Sequence, residues 1–266
     1  MRIGGGAVGV ELATVWHALG AQVRIIEGAE RILPLEDPDS SRALTRALQR
    51  RGIDVRTGTG VDSVLADGET ATVTSADGTA TSFDQVLVAV GRRPATAGCG
   101  LEDLGVLDAR GFVAVDEMGR TTVPGIWAVG DCIPTLALAH AAFAEGFVAA
   151  DAIAGKAPEP VARHLIPRVT YSVPEVASVG WTEPEARERF GGDVRCTTTS
   201  LAGNARAIIE GAGGHVKLVT HADGTVVGAH VVGPGATELI GELTVVVGWE
   251  GLAAETGIHT TDVHNR

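Results

Sequence analysis

Three glycines and one acid near the amino terminus are the residues whose spacing most directly prescribes chemistry. Gly4, Gly6 and Gly9 satisfy G-x-G-x-x-G within GGGAVG, and Glu27 follows 23 residues after the first of them (27 − 4). In such a run the first glycine allows a tight turn, the second lets a pyrophosphate approach the backbone, and the third lets helix and strand pack closely. A helix starting there aims unpaired N–H groups and the positive end of its dipole at phosphates. An acid about 20 residues beyond the first glycine accepts hydrogen bonds from an adenine-ribose 2′-hydroxyl. A carboxylate in that place repels a 2′-phosphate, which favours NAD over NADP. Arg24 and Arg31 lie near enough in sequence to leave NADP open.

The elements that must position these groups are legible on either side. A remnant of a strand, Met1 to Ile3, precedes the glycines. ELATVWHALG follows, and its apolar residues Leu12, Val15, Trp16 and Leu19 recur at helical spacing until Gly20 stops the helix. AQVRIIEG then has the β-branched character of a buried strand ending on Glu27. A glycine-rich turn with no ligand is the plain alternative for an isolated motif, but strand, turn, helix, strand and acid in this order argue for a nucleotide-binding unit. Glu11 is expected on the first helical turn, where the dipole alone would stabilise an acid.

Farther along, DSSRALTRALQRRG predicts a helix capped by Asp or Ser. IDVRTGTGVDSVLAD and TATVTSADGTATSFDQVLVAVG predict a strand series with a DG turn. Together these make an α/β, Rossmann-like domain over residues 1–93. In GIWAVGDC, Asp131 ends an apolar strand, either as a turn former or helix cap or as a carboxylate facing a bound polyol. His140, on an apolar helix with Leu138, Phe143 and Phe147, is given a positional role only. The proline-rich GKAPEPVARHLIPR reads as a linker. Beyond it HVKLVTH and TVVGAHVVG alternate as strands and TELIGELTVVVGW is helical, an α+β layer that could present a face to a second subunit.

Composition excludes several classes. With 21 Lys and Arg against 33 Asp and Glu, the net charge of −12 repels phosphate backbones and anionic membrane surfaces. No targeting segment or run of about 18 apolar residues is present, so no membrane partner is expected. Cys99, Cys132 and Cys196 form no paired motif, which predicts no metal site and a reducing, cytoplasmic setting. Cys132 reads as an inert small hydrophobe.

The strings VLVAVGRRP (86–94) and GIWAVGDC (125–132), after the opening GGGAVGVE, resemble the pyridine nucleotide-disulfide oxidoreductases, and in that family's order. LALAHAAFAEG (136–146), YSVPEVASVGWTEPEA, GNARA, HVKLV, VVGAHVVGPGATELIGE and GLAAETGIH resemble the lipoamide-linked branch, the dihydrolipoamide dehydrogenases. The resemblance implies an NAD-binding domain over 1–93, a partial FAD-binding segment over 94–156 and an α+β dimerisation domain over 163–266. It implies NAD held by Gly4, Gly5, Gly6, Ala7, Val8, Gly9, Val10, Glu11 and Glu27, with Glu11 near the nicotinamide, Val61 by the adenine and Gly91 along the dinucleotide. FAD would meet Asp131 and the backbone of Ala137, Leu138, Ala139 and His140.

The same resemblance implies oxidation of dihydrolipoamide with NAD+, a homodimer, and a place in a 2-oxoacid dehydrogenase complex. Family members carry an FAD segment with a C-x4-C cysteine pair ahead of the part matched here, and a His-Pro-Thr stretch followed by Glu that supplies the catalytic base across the dimer. GIHTTDVHNR departs from that stretch after His259 and puts Thr261 where the base would stand. No catalytic residue is therefore assigned to this chain, His259 and His264 included, and the chain alone is expected to be inactive. The rival expectations are another reductase of the class, acting on mercuric ion, mycothiol or glutathione disulfide or a quinone, and a non-catalytic NAD-binding or dimerisation remnant.

Overall fold

The computed structural model describes residues 1–211 and 213–256. His259, Thr261 and His264 lie outside the described residues. The chain forms two compact units, one built from residues 1–91 with the described residues from Pro167 onward, the other from Arg92–Ile166.

In the first unit, β1 (Arg2–Ile3), α1 (Ala7–Ala18), β2 (Arg24–Ile26), α2 (Pro38–Arg50) and β3 (Asp54–Arg56) follow in order. A meander of β4 (Val61–Ala66), β5 (Ala71–Ser75) and β6 (Ala80–Phe83) precedes β7 (Leu87–Val88). The sheet order is β3-β2-β1-β7 with every pairing parallel, and the meander is a separate antiparallel sheet. The chain leaves β1 towards β2 on one side and returns as β7 on the other. Such a reversal opens a crevice at the carboxyl ends of the strands, where ligands of parallel sheets bind.

Helix α1 carries the helical-spacing repeat Leu12, Val15, Trp16 and Leu19 on a face that is not the buried one. It buries Gly9, Val10, Ala13 and Thr14 instead, while Leu12, Val15 and Leu19 are exposed and Trp16 is half-buried. The helix packs closely on the sheet through its small residues, so its larger apolar ones are turned outward. Glu11 accordingly lies one turn farther in than expected, since the first turn begins at Ala7. Helix α2 begins earlier than its sequence pattern predicts: Asp37 is the cap, accepting the N–H of Asp39, and Pro38 occupies the first turn.

The carboxy-terminal part is a five-stranded antiparallel sheet of β8 (Arg168–Thr170), β9 (Glu175–Gly180), β10 (Val194–Ser200), β11 (His215–His221) and β12 (Val226–Gly233), in the order β10-β11-β12-β9-β8. Three helices accompany it, α4 (Glu183–Phe190), α5 (Ala205–Ile209) and α6 (Ala236–Gly248). The proposed helix in TELIGELTVVVGW is thus present as α6. Val176 and Val232 of this sheet join the same core as Val10, Ile25, Leu44 and Leu48, which explains why the two ends of the chain form one unit.

Charge reinforces that junction. Lys217 on β11 is 2% exposed, and its Nζ donates to Asp37 Oδ1 (3.0 Å), Asp39 Oδ2 (2.6 Å) and Glu183 Oε2 (2.7 Å). Burial would depress the ammonium's pKa, but these hydrogen bonds outweigh it and raise the pKa above the ordinary lysine value. Asp37 also accepts the N–H of Glu183, so the cap of α2 and the start of α4 share one carboxylate.

The second unit contains the three-residue helical turn Gly130–Cys132 and one long helix, α3 (Ala139–Ile153). Its small core gathers Val106, Val113 and Ile133. Asp131 lies in that turn and caps no helix, since α3 begins eight residues later (139 − 131) behind Leu138 with no side-chain cap. Among the described residues, no helix is long and apolar enough to cross a membrane.

The ion cluster predicts the acid response of the fold. Hydrogen bonds from Lys217, then Arg187, lower the Glu183 pKa from 4.5 to about 2. A depressed carboxylate adds stability that is complete above its unfolded value and is lost as the pH drops through the folded one. The melting temperature should therefore decline as pH is lowered from 4.5 to about 2. Glu183→Gln should melt lower near neutral pH and show a flatter decline across the same interval in a calorimetric series.

Candidate functional site

The glycine loop joins the carboxyl end of β1 to α1. Gly4 has φ +104, and a Cβ there would stand 2.2 Å from the Ala89 carbonyl oxygen. A Cβ on Gly9 would stand 2.0 Å from the Gly4 carbonyl oxygen. Both positions therefore require glycine for the chain's own packing. Gly6 differs: it has φ −70, caps α1, and a Cβ there would meet nothing within 4 Å. Its hydrogen in place of a side chain leaves room above the helix end, and no side chain caps that end. The first-turn N–H groups have no intrahelical carbonyl to bond, so they and the dipole offer a seat for an anion.

Glu27 extends from β2 beside this loop. Its Oε2 accepts the Gly5 N–H at 2.6 Å and its Oε1 accepts the Ala29 N–H at 2.7 Å. The two bonds hold the carboxylate at the crevice and leave further lone pairs for hydroxyl donors. The Gly5 carbonyl accepts the Leu33 N–H at 2.8 Å, so both sides of that residue are engaged. Thr59 N–H donates to the Glu27 carbonyl (3.0 Å) and Gly58 N–H to that of Ala29 (2.8 Å), which brings the chain just before Val61 alongside. The Val61 side chain itself packs against the cluster of Met1, Ile3, Ile26 and Val73.

Other expected residues are distributed differently. Ala7 and Val8 are exposed on the first turn of α1, whereas Val10 is fully buried in the core. Glu11 Oε1 accepts the Tyr171 N–H at 2.9 Å. Gly91, with φ +127 and open space around it, follows the Ala89 segment that closes over Gly4. Each of the two arginines that kept NADP open has a partner other than Glu27. Arg24 pairs with Asp54 at 2.7 Å and stacks over Phe83, and Arg31 donates to the Pro34 carbonyl at 2.8 Å.

The second unit assembles its own group. Arg92 Nη1 lies 3.2 Å from Asp131 Oδ2, and its Nη2 donates to the Ala137 carbonyl at 2.8 Å. Ala137 adopts φ +54, an unusual left-handed conformation for alanine, immediately before the uncapped start of α3 at Ala139 and His140. Gly130 N–H donates to Glu145 Oε2 (2.8 Å), and the Thr135 hydroxyl donates to Glu145 Oε1. Asp131 is exposed, as are Phe143 and Phe147 on α3.

Three contributors escaped the motif reading. Arg92 was part of a quoted string but had no assigned partner. Glu145 gave the signal of a lone acid in an apolar helix, and Lys217 that of a lysine in the buried alternation HVKLV. Among the described residues, no cluster of His, Cys, Asp and Glu could hold a metal ion.

A parallel sheet with a glycine loop at its switch point, followed by an antiparallel sheet with flanking helices, agrees with the sequence comparisons. The chain belongs to the family Pyridine nucleotide-disulphide oxidoreductase, which matches residues 1–146, and the dimerisation domain of that family matches residues 166–264. It is similar to the dihydrolipoyl dehydrogenase of Zymomonas mobilis, 41% identical over 260 residues that cover 95% of this chain and 56% of that protein. The dihydrolipoyl dehydrogenase of Geobacillus stearothermophilus is 41% identical over 272 residues, covering 98% and 55%. Among solved structures it is similar to LpdA from Mycobacterium tuberculosis, with a TM-score of 0.84 and 30% identity over 92% of this chain and 54% of that one. The HOCl-induced flavoprotein disulfide reductase RclA from Escherichia coli gives a TM-score of 0.84 at 29% identity, over 92% and 57%. The chain thus spans little more than half the length of these relatives.

The glycine geometry separates packing from ligand space. Gly9→Ala should unfold at a clearly lower temperature than the wild type, since its Cβ would meet backbone. Gly6→Ala should melt within a few degrees of it, because that Cβ meets nothing. Thermal melts followed by circular dichroism read both.

Proposed function

We propose that this chain is the NAD-binding, flavin-facing and dimerisation portion of an NAD-dependent flavoprotein disulfide oxidoreductase acting on dihydrolipoamide. The observation that carries the reading is the uncapped helix end over Gly6, with Glu27 held beside it by Gly5 and Ala29. The residues fit an adenine dinucleotide: the pyrophosphate would lie on the N–H groups of Gly6 to Gly9, and Glu27 would accept from ribose hydroxyls. The carboxylate of Glu27 itself would repel a 2′-phosphate, and Arg24 is paired with Asp54, which supports NAD.

FAD fits the second unit in part. Asp131 offers an exposed carboxylate, steadied by Arg92, to a polyol hydroxyl. The Ala137–His140 backbone opens an uncapped helix start to the ring system. The reaction converts dihydrolipoamide and NAD+ to lipoamide, NADH and a proton, and the two cofactors supply its hydride and electron transfer when bound. The chain's own residues bind, orient and exclude water. Residues 1–93, 94–156 and 163–266 would serve as NAD-binding, partial FAD-binding and dimerisation parts. The exposed Leu239 and Val245 of α6, with Trp249 just after it, offer apolar surface to a second copy. Such a dimer would serve a 2-oxoacid dehydrogenase complex, and the free thiols Cys99, Cys132 and Cys196 favour a cytoplasmic setting.

Fluorescence titration should give tighter binding of NADH than of NADPH. Glu27→Gln should weaken NADH by about tenfold, the loss of a hydrogen bond to a charged acceptor, and narrow the difference between the two cofactors. Tighter NADPH binding by the wild type would overturn the assignment. An absorbance spectrum of the chain mixed with FAD tests the flavin-facing part: a perturbed flavin band that Asp131→Ala weakens is expected, and a free-flavin spectrum counts against it.

A further inference from the structure

The buried ammonium of Lys217 stands on the carboxy-terminal sheet, yet three of its hydrogen bonds end on the segment that leads away from the glycine loop. Asp37 Oδ1 and Oδ2 and Asp39 Oδ2 are its partners there, at 3.0, 3.1 and 2.6 Å. Immediately upstream, Glu36 Oε1 accepts from Arg168 Nε and the Leu35 carbonyl accepts from Arg168 Nη2, each at 3.0 Å. Residues 35–39 are thus held to β8 and β11 by two cations.

The same segment reaches the dinucleotide loop from its other end. Leu33, with φ +46, donates its N–H to the Gly5 carbonyl, and its own carbonyl accepts from the Ser41 hydroxyl at 3.1 Å. Ile32 is fully buried, and its Cγ2 lies 2.8 Å from where a Cβ on Gly5 would stand. Glu36 N–H closes the turn onto the Leu33 carbonyl at 2.9 Å. Hydrogen bonds at Leu33, Glu36, Ser41 and Asp37, joined by short stretches of chain, thus link Gly5 to Lys217.

We propose that Lys217 is a positioning residue for the dinucleotide seat, acting through residues 32–39 to hold Gly5 and, with it, the glycine loop against Glu27. This rests on the dinucleotide reading given above and adds the part of the molecule that keeps the seat in register. The carboxy-terminal sheet then contributes to cofactor affinity without touching the cofactor. Coupling of this kind is reciprocal, so a bound dinucleotide steadies β11 in return.

The test compares NADH affinity and amide hydrogen exchange in the full chain, for the wild type and for Lys217→Met, Lys217→Arg and Asp39→Asn. Lys217→Met removes the ammonium and keeps an apolar stem. It should raise the Kd for NADH about tenfold, within the ordinary range of coupling between sites, with the far-ultraviolet circular dichroism unchanged. Lys217→Arg, which restores the cation, should recover most of the affinity. In the wild type, NADH should slow exchange over residues 33–39 and 215–221 as well as over the glycine loop. A folded Lys217→Met chain that binds NADH as tightly as the wild type overturns the proposal. If that variant fails to fold, Asp39→Asn decides, since it removes one charged partner at the solvent edge. A loss of about threefold is expected, and unchanged affinity with NADH protection confined to residues 4–29 overturns it. A wild-type chain that binds no NADH defeats the dinucleotide reading itself and the positioning role with it.

Discussion

The hydrogen bond from the Gly5 N–H to the Glu27 carboxylate is the interaction on which the rest of the site depends. Glycine loops are entropically costly to order, and this one has no side chains of its own with which to hold a shape. Glu27 supplies the restraint from the next strand, Leu33 supplies a second from the opposite side, and the Ala89 carbonyl closes over Gly4. The acid that would recognise a ribose is thereby also the group that orders the backbone facing the phosphates. One carboxylate serves both ends because the parallel pairing of β1 and β2 brings Ile3 opposite Ile26, one residue before Glu27.

A second constraint works through charge. An isolated ammonium in the position of Lys217 would be expensive to bury, and three carboxylates from two distant stretches of chain compensate for it. Removing any partner of such a buried cluster leaves a charge uncompensated. Hydrophobic faces of the α2 and β12 kind could slide over one another, whereas three carboxylates gathered on one donating ammonium admit few registers. The apolar core of Leu44, Leu48, Val176 and Val232 provides the adhesion, and the ion cluster specifies where the two surfaces meet.

The exposed apolar residues follow a pattern too. Leu12 and Val15 on α1 with Leu19 at its end, Phe143 and Phe147 on α3, and Leu239 and Val245 on α6 with Trp249 at its end are all exposed. Each of these helices turns small residues inward, Ala13 on α1, Ala141 and Ala149 on α3, and Ala236 on α6. Val10 on α1 and Ile240 and Val247 on α6 are buried beside them. Surfaces of this composition are the ones through which proteins of this size meet other chains or segments.

The strand, helix and strand around the glycine loop, with an acid at the strand end, were readable from residue type and spacing, and the family from the resemblance of its strings. Those features depend on local physics: glycine where the backbone turns sharply, β-branched runs in buried strands, and an acid at a strand end. Periodicity located α1, α2 and α6, but it could not tell which face of α1 is buried, because an apolar repeat looks the same whether it meets the protein or the outside. The cap of α2 at Asp37 was missed although Pro38 after it is a local sign of a helix start, and Lys217, 180 positions away, adds a partner that no local pattern shows. Arg92 binding Asp131 and Ala137 likewise joins residues that no local pattern relates. Local sequence determined what each segment is; long-range hydrogen bonds and burial decided which of its polar groups became structural and which were left facing the crevice.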